Sequence, residues 1–577
     1  MKFIITVNKM TLLRFLWLCL RQREVYVLAV DPWVPRLHRF FQTVVDWAIT
    51  SGRARALIDL CPELHHINDR YSEVYLYNVF DRIEAWQNDF FDFGSSDKAG
   101  AEYALAYKNI TTKFLSLRYP QILTLERVLP TLQAQGVNVI GLPSSILGAL
   151  EAYTKKSFSE KLKPSRPLFF PVMNLMFAVI IVIYSWIWIL ARLRPLGVDQ
   201  ETFFLAADYV TDSRDLQLYQ EVSDGGPILL VLRNLSNAPE EEKTLKAYAT
   251  CSLDDGRFAL MGALNAIGFV MRDTARLYWR FMRQEPGIFF QLAALPYRRA
   301  VLRALFTRYV PQFFWGHDDY NPEHIIRRQE LNRIGKLSFG INHGFASYCN
   351  RLPSFCHISF DRYYVFGKFS HEIYKDSWVK DMVVTPVGSF GLTREDYTLI
   401  DEPKSKDIVI FTGIFTNHPR LVKMVRYISA AFPERTVWLQ VKAQYVDLER
   451  SREFVETCMH DRPNIKYTTT PDLSKLFRQA GYSFSDPSTA VIEALQFGLV
   501  SFMLDISEIH EVCPFRDFPD LCISAPEVAV KRIKDIEAGN WQYPRERYGD
   551  LIDLSGKVFF DVIRGDMGLA PRARPFP

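Results

Sequence analysis

Cysteine is scarce and never paired in a C-x-x-C. The eight residues, at 19, 61, 251, 349, 356, 458, 513 and 522, are dispersed. Cys349 and Cys356 come closest but lack further ligands at zinc-site spacing, so neither a zinc module nor a disulfide scaffold is expected. Cys349 reads as a structural cysteine rather than a nucleophile, and the pattern suits reduced thiols in a cytosolic compartment. No G-x-S-x-G and no G-x-x-x-x-G-K-[ST] occurs, which argues against an α/β-hydrolase and a P-loop enzyme. Net charge is only +4, too little to call for nucleic acid. Repeats and low-complexity tracts are absent. Residues 11–20 are apolar, but Arg14 interrupts them and no small-residue cleavage site follows, so they do not read as a signal peptide. Asp89 and Asp92 lack D-x-D spacing, and no metal site is expected.

What the chain has in quantity is apolar and aromatic side chains: 48% of its residues are hydrophobic and 14% aromatic. That is high for a soluble protein. Its 577 residues suit two to four domains. Residues 1–160 read as an N-terminal α/β domain of unknown role. Residues 25–30 (VYVLAV) form a strand pattern, and 124–142 read as helix, Gly136 turn and strand.

Residues 161–198 carry the longest uncharged run, 168–190 (LFFPVMNLMFAVIIVIYSWIWIL). As a helix it would extend about 34 Å, enough for a bilayer core. Lys155, Lys156, Lys161, Lys163 and Arg166 precede it, and Arg192 and Arg194 follow. Spanning, re-entering at Pro171 and Asn174, and packing internally all remain open. Residues 258–310 read as two helices split at Pro286-Gly287. Aromatic residues alternate there with Arg272, Arg276, Arg280 and Arg283, then Arg298, Arg299, Arg303 and Arg308. Such basic amphipathic helices suit an anionic membrane surface.

Strand–helix alternation resumes in 199–400 and again in 401–566, with 401–406 as a charged linker and 567–577 as a tail. In the first of these blocks, the strand 313–316 ends at His317, Asp318 and Asp319. A helix follows Pro322, and the strand 336–342 ends at His343-Gly344. Ligands of open α/β sheets bind beyond the C-terminal strand ends, where both clusters fall. In the second block, the loop after strand 408–411 holds Gly413 and His418, strand 436–441 ends at Lys442, and 482–504 read strand, turn, helix, strand. Ser488 and Thr489 stand at that helix entrance, whose free N–H groups and partial positive charge suit a phosphate. Glu493 lies one and a half turns in, within reach of a ribose diol. The competing reading is an N-cap and a solvated glutamate.

The stretch Asp486 to Gly498, with its hydroxyl pair before Glu493-Ala494-Leu495, resembles the donor-site helix of GT-B glycosyltransferases that build bacterial surface and capsular polysaccharides. The acidic pair, helix and His-Gly strand end, with 364–371 (YVFGKFSH) and 384–391 (VTPVGSFG), are similar to their N-terminal domain. The resemblance implies two Rossmann-type domains, here with the N-terminal domain and a hydrophobic membrane-associated insertion added. It further implies a nucleotide-sugar co-substrate without a cofactor, and a lipid-linked or polysaccharide acceptor at the cytoplasmic face of the bacterial inner membrane. Asp318 or Asp319 would be the base, with His343 a phosphate contact or alternative base. Gly413, His418, Lys442, Ser488, Thr489 and Glu493 would hold the donor. The His418-Pro419 pair resembles the His-Pro motif of sialyl- and Kdo-type members but follows the wrong strand. Lys442 occupies the expected place.

Overall fold

The structure is a computed structural model. It describes residues 2–8, 11–30, 35–60, 72–90, 103–133, 136–158, 169–194, 199–208, 213–232, 248–316, 319–342, 344, 353–413, 419–442, 449–470, 472–486, 488–506 and 518–571. Its larger sheets are all parallel. The first has strands β1 (Lys2–Val7), β2 (Glu24–Val30), β3 (Arg55–Ala56) and β4 (Val137–Ile140) in the order β3-β2-β1-β4. The short strands β5 (Leu193–Arg194) and β9 (Phe258–Ala259) pair separately.

The second sheet contains β6 (Glu201–Ala207), β7 (Ile228–Leu232), β8 (Ala249–Ser252), β10 (Tyr309–Gly316), β11 (Leu337–Ile341), β12 (Arg362–Val365) and β13 (Val383–Pro386). Their order is β13-β12-β11-β10-β6-β7-β8. The third holds β14 (Ile408–Thr412), β15 (Val437–Val441), β16 (Ile465–Thr468), β17 (Tyr482–Ser485), β18 (Val500–Leu504) and β19 (Cys522–Ile523), ordered β16-β15-β14-β17-β18-β19. Numbered within its own unit, each sheet runs 3-2-1-4 and onward, the doubly wound order that reverses between its first and fourth strands. Strands covered on both faces are mostly apolar, with any buried hydroxyl hydrogen-bonded, as Ser483 is to Ser501 (2.8 Å). In β14 (IVIFT) and β17 (YSFS) every residue is buried.

The stretch 11–20 forms the helix Leu12–Leu20 and buries Phe15, Leu18 and Cys19 against the first sheet. At that sheet's reversal point Thr11 Oγ1 donates to the Thr6 carbonyl (2.6 Å), and the Thr11 methyl lies against Gly141. The helix Ala104–Ser116 and its neighbours share one core with the second sheet, in which Tyr107, Ile110 and Leu115 join Phe281, Phe289 and Tyr363. Polar ties reinforce that junction. Lys113 Nζ donates to Asn321 Oδ1 (2.6 Å), Tyr103 donates to Asp273 (3.1 Å), and Thr112 Oγ1 lies 3.3 Å from His357 Nε2.

Two expectations change. The expected pair of membrane-facing basic helices becomes Leu260–Phe281, Pro286–Ala293 and Leu295–Arg308. Two arginines of Leu295–Arg308 point inward, Arg299 and Arg303 each lying 2.7 Å from the fully buried Glu330, while nearer the surface Arg298 pairs with Glu323 and Arg308 with Glu201. Burial raises the Glu330 pKa, but the hydrogen bonds and charge of Arg303 and Arg299 prevail and hold it at about 2. All four guanidiniums of that helix are thus ion-paired. The helix expected over 551–563 is Phe559–Asp566. It packs Phe559, Phe560 and Ile563 on the second sheet with Leu205, Trp315 and Tyr364. This return helix is fixed by Arg394–Asp561 (2.6 Å) and Arg564–Asp224 (3.1 Å).

Candidate active site

The third sheet reverses between β14 and β17, so its crevice opens beyond Thr412 and Ser485. There the Gly413 N–H donates to Asp486 Oδ2 (2.7 Å), tying the two strand ends together across the reversal point. Ser488 is extended (φ −153°, ψ 168°) and caps the helix Thr489–Gln496, its Oγ accepting from the Ala490 N–H (3.3 Å). The Ser485 hydroxyl, 2.9 Å from Ser488 Oγ, braces that cap. Lys442 follows β15, with its N–H bonded to the Thr412 carbonyl (3.2 Å). Its side chain is exposed and forms no ion pair among the described residues. A helix entrance, a hydroxyl pair and an unpaired cation therefore share one sheet edge, a combination suited to a phosphate.

The second sheet reverses between β6 and β10. Asp208 follows β6 and forms a buried ion pair with Arg327 of the helix Glu323–Arg333. Asp319, beyond β10, is fully buried, and its Oδ2 accepts from the Tyr363 hydroxyl (2.9 Å). Its carboxylate thus exposes no surface in this arrangement. Asn342, at the end of β11, is also fully buried, with neither carboxamide atom hydrogen-bonded among the described residues. His324 stacks on Phe360 with ring centroids 5.1 Å apart, and burial, aided by the Arg327 charge, lowers its pKa to about 3.

The second and third sheets are joined through the segment that follows β13. After β13 the chain lies against the helix Thr489–Gln496: Ser389 Oγ donates to Glu493 Oε1 (2.5 Å), and the Ser389 N–H donates to Gln496 Oε1 (2.8 Å). Gly388 has φ +74°, and a Cβ there would run into the Gln496 amide. Gly367, after β12, sits directly on the Asp550 carbonyl, and the Asp553 N–H bonds the Phe366 carbonyl (2.7 Å).

No family model and no curated protein matches the chain. Solved structures similar to it include Staphylococcus aureus MnaA with UDP, at 10% identity over 65% of this chain and 99% of that one, TM-score 0.36. The UDP-GlcNAc 2-epimerase of Neisseria meningitidis bound to UDP-GlcNAc is 11% identical over 64% and 99%, TM-score 0.38. MurG of Acinetobacter baumannii is 9% identical over 64% and 96%, TM-score 0.33. Likeness at this level leaves function to the chain's own residues.

Of the residues expected to act, Gly413, Lys442, Ser488 and Thr489 lie at one sheet edge, Glu493 lies further along the helix, and Asp319 is buried. Asp318, His343 and His418 lie outside the described residues. Glu493 is buried, and its Oε1 is occupied by Ser389. Sequence reading missed Asp486, Ser389, Gln496 and Asn342. Asp486 alone left a signal, an acidic residue closing a buried strand ahead of a helix cap.

Proposed function

We propose that the chain is a GT-B glycosyltransferase that moves a sugar, with inversion, from a nucleotide-activated donor to a lipid-linked or surface-polysaccharide acceptor. It works at the cytoplasmic face of a bacterial inner membrane. The observation that carries this reading is a doubly wound sheet whose reversal point holds the capped helix Thr489–Gln496 and Lys442, which has no ion-pair partner among the described residues, joined to a second doubly wound sheet by the segment after β13. Ser488, Thr489, Gly413, His418 and Lys442 take the donor's phosphates. Glu493, set by Ser389, serves the ribose side. Asp318 accepts the acceptor hydroxyl's proton as the new bond forms. The departing nucleotide phosphate gains its compensating charge from Lys442 and the helix entrance, with His343 as a further donor.

Thermal shift of detergent-purified protein against UDP-, CMP- and GDP-sugars tests the donor half. A true donor at a hundred times Kd adds about 2.7 kcal/mol of stability. Lys442→Ala removes a charge-assisted contact worth about 1.5–3 kcal/mol and weakens binding accordingly. Nucleotide release should then require added membrane-lipid acceptor. Sugar interconversion without an acceptor would make the chain a non-hydrolysing epimerase, and no shift with any nucleotide would make it a scaffold.

A further inference from the structure

The helix Phe170–Leu190 buries one face and bares the other. Asn174, Ala178, Ile181, Ser185 and Trp188 are buried, whereas Val172, Met176, Val179, Ile183, Ile187 and Leu190 are each 47–64% exposed. These six recur at intervals of three and four residues, so they form one stripe along the whole helix. The helix Leu260–Phe281 lies antiparallel beside it and is pinned at both ends. The Asn174 amide donates to the carbonyls of Met282 (2.9 Å) and Gln284 (3.0 Å). At the other end Leu193 pairs with Phe258, and the Phe258 N–H bonds the Arg192 carbonyl (3.0 Å).

The exposed arc of this second helix is divided. At 3.6 residues per turn, Leu260, Met261, Leu264 and Met271 fall on one side and Arg272, Arg276 and Arg280 on the other, with Arg283 exposed in the turn just past the helix. Trp279, 73% exposed, stands at the seam. Arg276 and Arg283 have no ion-pair partner among the described residues.

That pairing decides how the apolar helix meets a bilayer. Were Phe170–Leu190 to cross the membrane, its partner would cross with it. Arg272, paired with Asp273 (2.9 Å), would then stand about 18 Å along the second helix, near the midplane, with Arg276 one turn away and no carboxylate paired to it among the described residues. Charged groups there are strongly disfavoured. Laid flat, the same pair sinks its stripe into one leaflet, keeps Trp279 at headgroup level and points its arginines at lipid phosphates.

We propose that these two antiparallel helices form an in-plane seat in one leaflet of an anionic bilayer. The seat rests on the membrane association proposed above and fixes its geometry: the protein enters the membrane from one side and leaves on the same side.

The test places single bimane-labelled cysteines at Val172, Ile180 and Ile187 of the full chain, with the unsubstituted chain as blank. Vesicles of phosphatidylcholine with phosphatidylglycerol carry quenchers at known depths. The seat predicts one shallow depth for all three labels. It also predicts at least tenfold weaker vesicle binding for Arg276→Gln/Arg283→Gln with phosphatidylglycerol present and little change without it. A deep Ile180 flanked by two shallow sites would show a span. Labels shielded in a soluble dimer that does not float with vesicles would show a second copy on this face. Either result overturns the seat, while nucleotide thermal shift on the same variants reports separately on the transferase reading.

Discussion

At the scale of single residues, the chain keeps several ionisable groups in states set by burial. His357 and His324 are buried, and that burial, reinforced by Lys108 and Arg327 respectively, lowers each pKa from 6.5 to about 3. Between those values the unfolded chain binds protons that the folded chain refuses. Stability is therefore whole above pH 6.5 and declines as pH falls toward 3, by about 1.4 kcal/mol per pH unit for each histidine. Calorimetry between pH 7.5 and 5 should show Tm falling, with a shallower slope in His357→Gln. Glu330 makes the complementary case. Glu330→Gln leaves Arg299 and Arg303 without their shared carboxylate in the core and should cost about 3–5 kcal/mol in urea denaturation. That Asp319 faces inward was not legible in the sequence. It is decided by Tyr363, which reaches Asp319 from a strand 44 positions away.

At the scale of elements, the third sheet was largely readable because its strands are short apolar runs ending in polar or glycine residues, as at Thr412-Gly413 and Ser485-Asp486. β1 escaped notice because a six-residue run such as KFIITV has no periodicity that separates strand from buried helix. The arginines of Leu295–Arg308 show the opposite failure. Their spacing marks a basic face, but the acids that absorb it, Glu323 and Glu330, belong to a later helix. The same dependence on distant partners governs the join at 388–391. Gly388→Ala would strain a positive-φ residue and displace Gln496. Urea denaturation should register a loss of about 1–3 kcal/mol, and nucleotide affinity should drop as the Ser389–Glu493 bond loosens.

At the scale of the molecule, the N-terminal unit is no appendage. The core joining Tyr107, Ile110 and Leu115 to Phe289 and Tyr363 runs without a break between it and the second sheet. A chain starting at residue 161 would bare that surface and should emerge aggregated on size-exclusion chromatography, whereas the full chain should elute as a defined species.

Continuity of that core also restricts motion. The first two sheets must travel as one block, leaving the third as the partner able to swing. The backbone passes between block and partner at 387–407 and again at 553–558, where it enters the return helix. Two crossings side by side behave like the paired leaves of a door. They permit rotation about the line joining them and resist twisting about any other.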